Sequence, residues 1–160
     1  MFRSRLLSVL VAMLIALTAA PAFAGPAETA YLQKLTNTWS GKGKLTGAET
    51  GAIACKIVIK GGAQRASYQG RCAIPDMAQQ AFNGSIVYND KLQRFESRSA
   101  GGTVVGFKRG TSLVFTTKNT SLAGTAYSTM TISPIKLVVD FALVDNKTGE
   151  KTTARITFTR

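Results

Sequence analysis

From residue 38 onward, apolar and polar side chains alternate with a period of two in short runs. Clusters rich in Gly, Asn, Asp and Lys separate them. Alternation of this kind is the mark of a strand with one face buried. Ten runs predict strands, at 38–45, 52–60, 65–74, 84–89, 93–99, 103–108, 113–117, 125–133, 135–144 and 152–160. Thr, Val, Ile and Phe dominate them, as pleated, half-buried surfaces favour. Residues 76–82 read as a helical turn or a loop. Before the strands, residues 25–37 predict a short helix, with Pro26 at an early helical position, Glu28 in the first turn, and Tyr31, Leu32 and Leu35 at helical spacing. Such a helix would be a lid or plug; a disordered leader is the alternative.

Register sharpens the picture. The midpoint between Cys55 and Cys72 falls between Ala63 and Gln64, beside a Gly-Gly pair. A hairpin centred there sets Ile53 opposite Ile74, Cys55 opposite Cys72, Ile57 opposite Gly70 and Ile59 opposite Tyr68, all on one face. The other face receives Lys56 opposite Arg71, Val58 opposite Gln69 and Lys60 opposite Ser67. A slip of one residue would undo both the sorting and the cysteine pairing. The expectation is a Cys55–Cys72 disulfide on the inner face, worth about 3 kcal/mol in the chain-entropy account. Two buried free thiols are the alternative. Two cysteines without histidine make a poor metal site, and they lack the close spacing of a reactive pair.

A hairpin around Lys147-Thr148 likewise pairs Leu143 with Thr152, Phe141 with Ala154, Val139 with Ile156 and Leu137 with Phe158, with Asp140 outside against Arg155. A third, around a 108–112 loop, would set Phe107 against Leu113 and Val105 against Phe115. Hairpins with one apolar face each need a shared core. The expected fold is all-β: an antiparallel meander closing into a small β-barrel of about eight to ten strands, full or flattened, behind a short N-terminal helix.

The first residues stand apart. Arg3 and Arg5 precede an apolar run at 6–20, and Ala22-Phe23-Ala24 fits a signal-peptidase site. The expected organisation is a signal peptide at 1–24, a helix or leader at 25–37 and one barrel domain at 38–160, with no membrane span left after cleavage. Export to a bacterial periplasm, or secretion, supplies the oxidising setting a disulfide needs. Cleavage would leave 136 residues, enough for a core, and lower the net charge from +12 to +10. A basic exported protein points to an anionic envelope component as partner rather than to nucleic acid. Lys42, Lys44, Lys56, Lys60, Arg65 and Arg71 form a candidate basic patch on the outside of the first three strands. Solvated, scattered charge is the plainer alternative.

The stretch 35–45, LTNTWSGKGKL, places the lone Trp39 at the start of the first strand, followed by Gly-x-Gly. Together with the barrel pattern it resembles the calycin-like group of lipocalins, fatty-acid-binding proteins and nitrobindin-like barrels. The resemblance implies a barrel end closed by Trp39 and an interior that takes a small apolar ligand. Thr38 stands where lipocalins set a glycine, and the chain has no histidine for the haem of nitrobindin-like proteins. It is also similar to small exported β proteins of proteobacteria that carry two central cysteines, which implies location and fold but no chemistry.

Absence of histidine removes Ser-His-Asp and Cys-His machinery and imidazole metal sites. Ser133-Pro134-Ile135-Lys136 fits S-x-x-K, but it lies between strands rather than at a helix start. The acidic residues fall mainly in turns or beside bases, with no acid–base pair apparent. No catalytic residue, metal or cofactor is expected. The sequence therefore favours a non-enzymatic binding protein. Its interior candidates are Ile57, Ile59, Tyr68, Phe107, Phe115, Met130, Phe141 and Phe158, with Trp39 as barrel-end plug. It would take a small apolar or amphiphilic ligand whose anionic end meets a basic rim. The alternative is an envelope structural or interaction protein, including a hydrolase inhibitor, that uses the basic outer face.

Overall fold

The computed structural model describes residues 25–74 and 79–160. The signal peptide read at 1–24 lies outside the described residues. Among the described residues, one helix, α1 (Pro26–Lys34), precedes ten strands: β1 (Asn37–Gly47), β2 (Gly51–Gly61), β3 (Arg65–Ala73), β4 (Gln80–Asn89), β5 (Arg94–Ser99), β6 (Gly102–Arg109), β7 (Ser112–Thr120), β8 (Gly124–Ser133), β9 (Lys136–Asp145) and β10 (Lys151–Thr159). Each strand pairs antiparallel with the next, and β10 pairs back onto β1, Ser40 opposite Thr159. The sheet closes into a barrel of ten strands and leaves no edge. It is the antiparallel meander closing into a barrel that the hairpin patterns predict.

Alternation decides which way each side chain points. On β2, Ile53, Cys55, Ile57 and Ile59 face inward and are buried, whereas Ala54, Lys56 and Lys60 face out. On β10, Thr152, Ala154, Ile156 and Phe158 are buried between exposed Lys151, Arg155, Thr157 and Thr159. The inside is greasy and the outside polar, the reverse of a barrel that spans a membrane with its strands. Among the described residues, no helix is long and apolar enough to cross a membrane.

The β2–β3 hairpin has the expected register from Lys60–Ser67 to Cys55–Cys72, and the two sulfurs are bonded. The paired residues end at Ala54–Ala73, so Ile53 and Ile74 are not ladder partners. The β9–β10 register matches throughout, Asp140 opposite Arg155 included, with an ion pair at 2.9 Å.

Two expectations need correction. The β6–β7 hairpin turns through Gly110 and Thr111 alone, because Gly110 at φ 59 allows a two-residue turn. Phe107 therefore pairs with Val114, not Leu113, and Gly106 rather than Val105 stands opposite Phe115. Phe107 points outward and is 64% exposed, so it is not an interior residue. The second correction concerns the 76–82 segment. Gln80, Ala81 and Phe82 belong to β4, where they pair with Cys72, Arg71 and Gly70. Residues 76–78 of that reading lie outside the described residues.

α1 seals the end of the barrel where β1 begins. Pro26 holds the first helical position, and the Glu28 amide donates to the Gly25 carbonyl at 3.0 Å. Leu32 and Leu35 are fully buried in the barrel core; burying such a side chain contributes about 1.5–3 kcal/mol. The Thr36 hydroxyl accepts from the Gly61 amide at 2.8 Å and donates to the Gln33 carbonyl, which ties the helix end to β2.

Candidate functional site

A ten-strand barrel is wider than its inward side chains readily fill. Here an interior cavity of about 300 Å³ remains. Its wall is the Cys55–Cys72 disulfide, Ile57, Ile59, Tyr68 and Phe82 from one side, and Met130, Ile132, Leu137, Val139, Ile156 and Phe158 from the other, with Ile86 and Ser128 between. Among the described residues, no charged side chain lines it. Phe82 lines the cavity and is 37% exposed, near the barrel end remote from α1. Among the described residues, the partly exposed Phe82 marks the side on which the cavity comes nearest to solvent.

Small residues opposite large ones shape the barrel interior. Gly41 faces Phe158, Gly70 faces Phe82, Gly84 faces Tyr68 and Gly106 faces Phe115 as direct ladder partners. In each pair the aromatic ring occupies the space that a Cβ on the glycine would need. The Tyr68 hydroxyl lies 3.1 Å from the Ser97 hydroxyl of β5. Among the described residues, that bond and the Ser128 hydroxyl are the polar side-chain features available to a guest in this lumen.

Of the interior residues expected from sequence, Ile57, Ile59, Tyr68, Met130 and Phe158 line the cavity. Phe115 is buried in the core and Phe141 packs against it, beyond the cavity wall. Leu137, Val139 and Ile156 follow from the C-terminal hairpin register. Phe82, Ile86, Ser128 and Ile132 were not singled out. Three of them sit at inward parity on runs that were read as strands; Phe82 sits in the segment read as turn or loop.

Trp39 is buried at the α1 end, opposite Ile57, outside the cavity wall. The guanidinium of Arg160 lies 5.6 Å from its ring centre and donates to the Pro134 carbonyl. The Trp39 indole nitrogen has no hydrogen-bond partner among the described residues.

On the outer wall, Lys56 stands directly opposite Arg71, and Lys60 opposite Ser67. Lys42 and Lys44 lie on β1 beside Ala54 and Ala52, and Arg65 starts β3. All six are exposed and point outward. They form a flank on β1–β3, densest at Lys56 and Arg71.

A buried carboxylate sits on the outer wall at β5. Only 4% of the Glu96 side chain is exposed; it accepts from Arg94 at 3.0 Å, Arg98 at 2.7 Å and the Asn89 amide at 3.0 Å. The Arg98 hydrogen bonds lead in holding its carboxyl below the usual range, with help from Arg94 and Asn89 against the cost of burial. Among the described residues, no second carboxylate joins it and no group of three or more His, Cys, Asp or Glu could hold a metal ion.

No protein-family model matches the chain, and no curated protein matches it. Among solved structures, an S-type phycobiliprotein lyase from Guillardia theta shares 10% identity with it, covering 81% of this chain and 89% of the lyase, at a TM-score of 0.48. That neighbour bears the name of a lyase, which stands against the expectation of a non-enzymatic protein, and the expectation is withdrawn. At this TM-score the likeness assigns no reaction to the barrel.

Proposed function

We propose that the barrel takes up a small apolar or amphiphilic molecule in its lumen. The observation that carries this is the cavity of about 300 Å³, with an apolar wall and two hydroxyl groups, nearest to solvent beside Phe82. That volume is at the lower end of small-molecule sites, and apolar walls with a few polar groups are their usual build. An unpaired charge would be costly inside such a wall. The anionic end of an amphiphile would therefore stay on the solvent side, with its chain in the lumen. The calycin-like resemblance points the same way. Export to the periplasm, or secretion, is part of this reading, supported by the disulfide and by the signal sequence read at 1–24.

Uptake of 1-anilinonaphthalene-8-sulfonate tests it. The native chain should enhance the dye's fluorescence saturably. Val139→Trp, which fills the cavity from β9, should weaken that binding at least tenfold while far-UV circular dichroism stays unchanged. Equal dye binding by native and filled variants would overturn the lumen as the site. Native mass spectrometry of protein from its own compartment would then identify the natural guest.

A second reading is an envelope interaction protein that meets an anionic component through the β1–β3 flank. The direct Lys56–Arg71 pairing favours it, since like charges opposite each other are destabilising without a counter-charge. Salt-sensitive retention on isolated envelopes, lost in Lys56→Glu with Arg71→Glu, is the expected result.

A further inference from the structure

We propose that the plugged end of the barrel docks on an anionic lipid bilayer. In an up-and-down barrel, alternate turns share one end, and α1 shares its end with the β2–β3, β4–β5, β6–β7 and β8–β9 turns. Lys60, Arg65, Lys91, Lys108, Arg109 and Lys136 stand in or beside those four turns, and all are exposed. The acids of this end are Asp90 and, on the helix, Glu28. At the other end, by the same measure, Glu49, Asp145 and Glu150 stand against Arg98, Lys147 and Lys151 among the described residues. The charge of the molecule is thus polarised along the barrel axis.

Exposed apolar side chains stand at both ends: Leu122 in the β7–β8 turn is 98% exposed at the far end, but three stand among the cations of the α1 end. Leu92 in the β4–β5 turn is 55% exposed, Ile135 in the β8–β9 turn 76%, and Phe107 just below the β6–β7 turn 64%. Phe107 and Val105 also border a surface hollow of about 540 Å³, edged by Arg94, Lys108 and Glu28. A soluble polyanion or an acidic protein would be served by the charge alone. Apolar tips ringed by Lys and Arg are what a bilayer rewards: the tips enter the acyl boundary while the cations meet the phosphates. In this pose the Phe82 side of the cavity faces away from the lipid. The proposal stands independently of what the lumen holds.

Vesicle co-sedimentation of the full chain tests it, using phosphatidylcholine vesicles and vesicles of equimolar phosphatidylcholine and phosphatidylglycerol. The chain should sediment with the anionic vesicles only, and release at about 1 M salt, where screening acts within about 3 Å. Lys108→Glu with Arg109→Glu should lower partitioning by about tenfold or more, since each cation near the surface is worth about fivefold. Phe107→Ser with Ile135→Ser should lower it several-fold at fixed salt. Lys147→Glu with Lys151→Glu, the same charge change at the other end, should have little effect. Equal sedimentation with both vesicles, or equal losses from both charge reversals, would overturn the proposal. Retention on heparin without vesicle binding would overturn it in favour of a soluble polyanion. If the Lys108/Arg109 variant fails to fold by circular dichroism, the Phe107/Ile135 variant and the salt series decide.

Discussion

Gly84 and Tyr68 face each other across the β3–β4 ladder, and the phenol lies over the place that a side chain on Gly84 would occupy. A Cβ there would also come within 2.5 Å of the Arg98 backbone carbonyl, so rotating the ring away would not suffice. The glycine thus sets both the depth of Tyr68 in the lumen and its reach to Ser97.

Gly84→Ala should therefore destabilise the barrel by about 1–3 kcal/mol, the range for overpacking a core. The urea midpoint would fall with little change in slope, as expected when stability changes and exposed area does not. Tyr68→Phe, which keeps the ring and loses the bond to Ser97, should cost less, about 0.5–1.5 kcal/mol. A Gly84→Ala protein with the native midpoint would show that the ring does not depend on that gap.

The disulfide closes a loop with a sequence separation of 17 and forms part of the cavity wall. Replacing both cysteines by alanine should cost about 2–4 kcal/mol, most of it through a freer unfolded chain. A fall in Tm of roughly 10 °C follows for a domain of this size. Reductant should lower the Tm of the native protein towards that of the double variant and leave the variant's own Tm unmoved.

What could be read in the sequence depended on how many constraints bore on each turn. At β2–β3, strict alternation and the need to pair two cysteines admit one register, and the ladder has it. At β9–β10, four inward apolar positions and the Asp140–Arg155 pair do the same. At β6–β7, Val104 and Val105 are adjacent, so alternation does not choose between them. The register was set instead by Gly110, whose positive φ shortens the turn. Phe82 was illegible for another reason: its segment has helix-like composition, and it becomes a strand only because β3 offers a ladder partner. The lumen lies a step further off. Alternation tells which side chains face inward, whereas the volume left between them depends on closure and on the glycine–aromatic pairing.

Glu96 gives the barrel a pH dependence in mild acid. Its carboxyl titrates below its ordinary value because Arg98, Arg94 and Asn89 bind the charged form. A group depressed in the folded state contributes stability above its unfolded value, about 4.3, and loses it as pH falls through the folded value. The urea midpoint should therefore drop as pH is lowered below about 4.3. Glu96→Gln should flatten that acid limb and cost roughly 1–2 kcal/mol at neutral pH. The figure is modest because Arg94 and Arg98 remain about half open to water. An unchanged acid limb in Glu96→Gln would assign it to other carboxylates.

Tyr31 acts at the alkaline side. Its hydroxyl, on α1, lies 3.0 Å from the Thr111 carbonyl and 3.1 Å from that of Ile132, and its ring tilts against Phe95 at 5.7 Å. One hydroxyl hydrogen shared between two carbonyls latches the helix to the β6–β7 turn and to β8. Burial pushes the phenol up to about 12, because the anion would lose water. A raised folded value means that the latch contributes fully below the unfolded value near 10 and is lost as pH rises towards 12. Tyr31→Phe should cost about 0.5–1.5 kcal/mol at neutral pH and remove the most alkaline step from the spectrophotometric tyrosine titration. It should also weaken the fall in stability between pH 10 and 12. A variant that keeps the alkaline step would show that a different tyrosine is the buried one, and that α1 is held by Leu32 and Leu35 without this latch.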